Sequence, residues 1–284
     1  MRILYAVLTG LAHGLCRLGY WLHRLVPNRK RLVLLGVLLT AGAAKAVVIG
    51  PGETYQPNDL LGGVVKLPSS GTTSGVALTR LHILTARHVS TPGSVEYPGG
   101  VRIAVAGRVN HPTRDLAILT LAEPGPHPGY PVAEAHQGDV VLVAGYGRGG
   151  EGAPTLGKGT LRAAMNVVSH VATGSTYSML YLRFNVPGDA EYVVGEGSAA
   201  DGDSGGPVFL YDTMSLVSIT SAGVNANGNG VFPDPGDYTL HTHLHPCNEW
   251  IQANTPEPGT IGLVSAGLML CVAWFCFAGR EGCA

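Results

Sequence analysis

Gly202-Asp203-Ser204-Gly205-Gly206-Pro207 is the stretch from which the fold and the chemistry of this 284-residue chain are read. Acyl transfer needs a serine oxygen presented in an exposed tight bend, with backbone N–H groups beside it to receive the charge of a tetrahedral intermediate. Without Cβ atoms, Gly202, Gly205 and Gly206 reach φ > 0 and let a substrate backbone approach. Ser204 is the candidate nucleophile, and the N–H groups of Gly202 and Ser204 are the candidate oxyanion donors. On its own the hexapeptide also reads as a plain Gly/Asp/Ser turn between strands, so the decision rests on what lies upstream.

Upstream stand Leu84-Thr85-Ala86-Arg87-His88-Val89 and Asp115-Leu116-Ala117-Ile118-Leu119. With the serine motif, in the order His, Asp, Ser, they resemble the three signature motifs of the trypsin/chymotrypsin-like serine proteases, and the resemblance runs from about Val47 to Trp250. It implies an all-β fold of two six-stranded antiparallel barrels with the site between them, serine endopeptidase activity on a polypeptide substrate, and no cofactor. A neutral hydroxyl is a poor nucleophile, so a base must take its proton and return it to the leaving amine; imidazole, titrating near neutrality, suits both steps. His88 is the candidate base, and Asp115 holds its tautomer and stabilises the imidazolium. The plainer alternatives are a core histidine and a strand-start aspartate beside Arg114.

The same resemblance supplies a substrate pocket. Ser198, six residues before the nucleophile, falls at its base; Ser221-Ala222-Gly223 falls on the segment that binds the substrate backbone, and Pro235-Gly236 on the far wall. A serine below and glycines on both sides imply an open, uncharged slot for a large apolar or aromatic side chain. In the family the aspartate before the nucleophile pairs with a freed apolar N-terminus. Cleavage after Ala46 exposes Val47-Val48-Ile49-Gly50, so the Val47 amine is expected to pair with Asp203; the alternative is that Asp203 caps its own turn.

That cleavage point is read from the leader, residues 1–46. An uncharged run at 32–44 follows Arg29-Lys30-Arg31 and leads into Ala44-Lys45-Ala46, the pattern of a secretory signal peptide. The protease-like domain is assigned to 47–252 and a linker to 253–258, leaving a membrane-spanning helix and basic tail at 259–284. Pro256-Glu257-Pro258, the uncharged run at 259–279 and Arg280 resemble the PEP-CTERM sorting signal of Gram-negative bacteria. The resemblance implies processing by an exosortase-like enzyme, alongside signal peptidase at the other end; a permanent tail anchor is the alternative. Either reading places the protein in the periplasm, at the cell surface or in the extracellular matrix, membrane-attached through its C-terminal helix before processing.

Between residues 47 and 255 there are 10 Lys/Arg and 17 Asp/Glu, a net charge near −7, which argues against a nucleic-acid partner. Of five cysteines only Cys247 belongs to that part, so no intradomain disulfide forms there. Many secreted members of the family carry one beside the catalytic histidine, where this chain has Val89. Runs at 101–109, 140–144, 177–186 and 215–224, rich in β-branched and aromatic residues, read as strands, residues 124–131 as a bridge between barrels, and 246–253 as a short terminal helix. His241, His243 and His245 alternate as though for a metal, but with no fourth ligand they read as solvent-facing. The asparagine-rich run at 225–230 lacks carboxylates in register for calcium. Two other functions compete with proteolysis: a catalytically silent, protease-shaped surface binding protein, and an esterase using the same serine.

Overall fold

The computed structural model describes residues 47–55, 59–68 and 71–256. The signal segment, the end of the Pro-Glu-Pro motif and the apolar run at 259–279 lie outside the described residues; within them no helix is long and apolar enough to cross a membrane.

The first strand, β1 (Val47–Ile49), belongs to neither barrel. Strands β2 (Val64–Pro68), β3 (Thr72–Ala77), β4 (His82–Thr85), β5 (Ser94–Glu96), β6 (Arg102–Asn110) and β7 (Ala117–Leu121) close an antiparallel barrel in the order β2-β3-β4-β7-β6-β5. Closure sets Lys66 opposite Glu96, where their side chains pair at 2.5 Å and Arg102 reaches the second carboxylate oxygen at 2.6 Å. A second barrel follows from β8 (Val140–Gly145), β10 (Arg162–Thr173), β11 (Ser178–Arg183), β13 (Pro207–Leu210), β14 (Leu216–Val224) and β15 (Tyr238–His243), in the order β10-β11-β15-β14-β13-β8. Between the closed ladders, β9 (Gly149–Glu151) and the two-residue β12 (Gly197–Ser198) flank β1 in a small sheet of their own, with Val47 beside Gly149 and Val48 beside Ser198.

The four runs read as strands from sequence lie within a few residues of β6, β8, β11 and β14. Strand β8 shows why its sequence has no polar alternation. Val141 and Val143 point into the second barrel's core with Val168, Leu180, Leu182, Val208 and Val217, while Leu142 and Ala144 join the cluster that continues into the first barrel. A strand buried on both faces reads as a continuous apolar run, and each Val or Leu sealed this way contributes about 1.5–3 kcal/mol. The described residues close with a 3₁₀ turn (His245–Cys247) and helix α1 (Asn248–Asn254), which buries Ile251 and sets the Trp250 ring edge-on to His111 at 4.8 Å.

Two histidines of the triplet depart from the expected exposure, while His245 is exposed as expected. His241 and His243 share a face of β15, and that face is buried. His241 bonds Thr239 at 2.9 Å and Thr220 at 3.3 Å, and burial pushes it down to about 3; burial likewise pushes His243 down to about 4. They are neutral core residues: hydroxyls meet both ring nitrogens of His241, and Ser178 Oγ and the Ala135 N–H meet those of His243. No group of His, Cys, Asp and Glu among the described residues is arranged to hold a metal ion. Cys247 is buried with a free thiol.

Candidate active site

Strands β4 and β7 pair with Thr85 opposite Ala117, so residues just after β4 and just before β7 emerge at one end of the first barrel. His88 and Asp115 occupy those places. The His88 Nδ1 lies 2.8 Å from Asp115 Oδ2, and the His88 backbone N–H donates to Oδ1 at 3.0 Å. The Ser221 hydroxyl donates to the same Oδ2 at 2.5 Å. Burial pulls the Asp115 carboxyl up, but the bonds from His88 and Ser221 outweigh it and leave it below the usual carboxylate range. The bond to Asp115 raises His88 above its ordinary value against the opposing pull of burial. An ionised carboxylate only accepts, so Asp115 selects the tautomer with the hydrogen on Nδ1 and leaves Nε2 as the basic nitrogen.

The turn carrying His88 is pinned without a disulfide. Arg108 on β6 donates to the Val89 carbonyl at 2.6 Å and to the Arg87 carbonyl at 2.7 Å, one on each side of His88. Sequence reading passed over Arg108 because nothing in the sequence around a strand arginine signals which carbonyls it will meet.

Ser204 comes from the loop between β12 and β13, and this loop is fastened to both barrels. Its carbonyl accepts from the Ser74 N–H at 3.0 Å, the Gly205 N–H donates to the Thr220 carbonyl at 2.8 Å, and the Thr220 N–H returns to Gly206 at 2.8 Å. Gly205, at φ +78, packs so closely on Ser74 and Thr85 that a Cβ there would overlap both. Thr85 ends the strand leading to His88, and Thr220 precedes the serine bonded to Asp115, so these contacts tie the Ser204 loop to the segments that carry His88 and Asp115.

The N–H groups of this loop fall into two sets. Those of Asp203, Gly205 and Gly206 bond Ala200, Thr220 and Asp203 carbonyls respectively. Those of Gly202 and Ser204 have no acceptor among the described residues. Gly202 sits at φ +96, a conformation that costs a glycine little, and Ser74 Oγ holds its carbonyl at 3.1 Å. Two neighbouring donors without partners, beside a serine and held by bonds to their own neighbours, form a ready site for developing negative charge. Ser74 also accepts the Tyr146 N–H at 2.9 Å and was invisible as a functional residue within the small-residue run Thr72-Thr73-Ser74-Gly75.

Asp203 is fully buried. Its carboxylate accepts from Gly147 N–H and Ala200 N–H, both at 2.8 Å, and from the Val47 N–H. Burial pushes it up to about 7 in spite of these donors and the Arg162 guanidinium. Val47 is fully buried as well, with φ at +58, a left-handed conformation unusual for a β-branched residue.

The expected pocket residues are placed unevenly. Ser198 is completely buried in β12 and its hydroxyl has no partner. Ser221 does not offer its hydroxyl to a pocket, since it is committed to Asp115. At Gly223 the place a side chain would take is filled by the Phe232 ring, which sequence reading did not assign to the slot. Gly236, at φ +99, has only the Asn227 amide near, at 4.0 Å. Asn227 and Asn229 both donate to Asp234, so the asparagine-rich loop is tied into its own stem.

Comparison with known proteins adds three findings. The trypsin family model matches residues 49–251. No curated protein matches in sequence. Among solved structures the fold is similar to that of neuropsin, a serine protease expressed in the limbic system of mouse brain, with a TM-score of 0.56 and 18% identity over 72% of this chain and 99% of that one.

Proposed function

Since the chain belongs to the trypsin family and is a serine endopeptidase, we propose that it cuts polypeptides through an acyl-enzyme on Ser204, with His88 as general base and acid and Asp115 as its orienting carboxylate. The observation that carries this reading is the pair of unpartnered N–H groups on Gly202 and Ser204. As Ser204 Oγ attacks the scissile carbonyl, His88 Nε2 takes the hydroxyl proton and the carbonyl oxygen becomes an anion between those two donors. Collapse returns the proton from His88 to the leaving amine; water then repeats the sequence to free the acid. The Asp115 carboxylate, held by His88 N–H and Ser221 Oγ, keeps the imidazolium favourable in both halves. A fluorophosphonate tests the assignment: a single adduct on Ser204 of the folded protein supports it, and labelling that persists in Ser204→Ala sinks it.

We place an apolar side chain before the scissile bond, in the slot bounded by Gly223 and Gly236, because the residue expected at its base, Ser198, carries no charge; the buried Asp237 beside Gly236 is the one group that would alter this preference. The Phe232 ring on Gly223 sets how large that side chain can be. Replacing Phe232 with Ala is expected to raise kcat/KM for substrates with Phe before the cut relative to matched Ala substrates by about tenfold or more. A peptide panel reads this directly; cleavage confined to Lys or Arg positions would contradict the apolar slot itself.

Export begins the proposed life of the enzyme: signal peptidase cuts after Ala46, and an exosortase-like enzyme later removes the apolar run at 259–279. The released Val47 amine then pairs with Asp203. Two features favour this. The Val47 N–H already meets Asp203, and the left-handed φ of Val47 is a constraint imposed by a residue before it, which a free N-terminus does not have. N-terminal sequencing of exported protein is expected to begin at Val47. One added residue before it is expected to lower kcat/KM by at least about 10²-fold, the effect of losing an oxyanion donor. Unchanged activity in that variant would reduce Asp203 to a cap of its own turn.

A further inference from the structure

Arg162, the first residue of β10, is 3% exposed. A buried guanidinium normally has all its N–H groups met and a carboxylate in a forked pair. Arg162 has neither. Among the described residues its Nη1 makes only two long bonds, to the Gly147 carbonyl at 3.5 Å and the Thr160 carbonyl at 3.4 Å, while Nε and Nη2 have no partner there. The Tyr55 ring lies beneath it, 5.8 Å from the guanidinium carbon.

The anion it serves is Asp203. Each lies in the other's electrostatic field, and the residue whose carbonyl Arg162 touches, Gly147, donates its N–H to the Asp203 carboxylate. The Tyr55 phenol closes the group by donating to the Val47 carbonyl at 2.8 Å. On the outer side of the same loop Lys158 is paired with Asp201 at 2.8 Å, its stem against Gly202. The groups that bear on Asp203 are therefore Arg162 from β10, Tyr55 from the segment after β1, and the Val47 nitrogen.

We propose that Arg162 is a positioning residue for the oxyanion loop: its guanidinium is the fixed cation of the buried Asp203 site and holds Gly202 and Ser204 in their donating conformation. The proposal rests on the reading of Ser204 as nucleophile. Asp203 bonds Ala200, Gly147 and Val47 as an acceptor, and each of those bonds is stronger to the ionised carboxylate. Burial opposes that ionisation, and a fixed positive charge within the same pocket restores it. Arg162 does so without touching substrate, and it does so before a free amine at Val47 arrives. Met or Gln at position 162 removes the charge; Lys keeps it and gives up the fork.

The test measures kcat/KM and the rate of fluorophosphonate labelling against pH for the exported, processed protein and for Arg162→Gln and Arg162→Lys. The acid limb of Arg162→Gln is expected to move up by about one pH unit or more. Its labelling rate at pH 7 falls roughly tenfold and recovers above pH 8.5, while Arg162→Lys follows the wild type. A loss in Arg162→Gln that is equal at every pH, or that Arg162→Lys shares, makes the role structural and overturns the proposal, as does an unmoved limb. If Arg162→Gln does not fold by itself, Arg162→Gln in an Asp203→Asn background decides: a further loss relative to Asp203→Asn alone overturns the proposal, and indifference supports it. Labelling that survives Ser204→Ala strikes the nucleophile reading, a failure separate from these.

Discussion

Ser204→Ala is expected to lower kcat about 10⁶-fold on a peptide substrate while leaving the protein folded. Ser204 Oγ is the atom that forms and breaks the covalent bond in the proposed cycle, and no neighbour replaces it. Ser74 is spent on Gly202 and Tyr146, and Ser221 on Asp115. What survives is binding together with the Gly202 and Ser204 N–H pair, since both are backbone groups that alanine retains; that remnant is worth about 10³–10⁴ over the reaction in water. Active-site titration of wild type and variant at equal concentration checks the prediction. Alanine protein turning over within a hundredfold of wild type would move the nucleophile elsewhere.

Asp115→Asn is expected to cost about 10⁴-fold in kcat near neutrality with little effect on KM. The carboxylate accepts three hydrogens, from His88 Nδ1, the His88 backbone and Ser221 Oγ. An asparagine amide turned toward His88 donates instead, which places the imidazole hydrogen on Nε2 and removes the base from the serine side. The pH profile moves too. Asp115 raises His88, so with the charge gone burial prevails and the acid limb shifts to lower pH. The active protonation state of His88 is the neutral one, so wild-type activity falls as pH drops through the raised value, and the variant, though weak, holds its remaining activity further into acid. A limb that stays in place would mean that Asp115 does not set His88.

Why His88, Asp115 and Ser204 were legible and Arg108, Ser74 and Arg162 were not follows from where each makes its contacts. The first three sit in runs whose chemistry is local: a glycine turn, a histidine at a strand end, an aspartate before a run of apolar residues. The others act through partners distant in sequence. Ser74 meets Gly202 128 residues on, and Arg108 reaches back 19 and 21 residues to the His88 turn. The same distinction explains the fold. Runs with β-branched residues between turns announced β6, β8, β11 and β14, whereas β12, two residues long, exists only because β1 lies beside it. His241 and His243 were misplaced for a related reason: alternation along a strand reports which residues share a face, and only the barrel's closure decides that this face points inward.

The placement of β1 also fixes when the enzyme can come into being. It is the earliest strand of the domain, yet its neighbours are Gly149 to Glu151 on one side and Gly197 to Ser198 on the other, and its first nitrogen is met by Asp203. A growing chain therefore finishes the whole first barrel while its own starting strand still waits for a seat. Contacts that span so much sequence form late and slowly. On the proposed role of the Val47 amine, the last piece of the catalytic apparatus to be ordered is thus the first of its pieces to be synthesised.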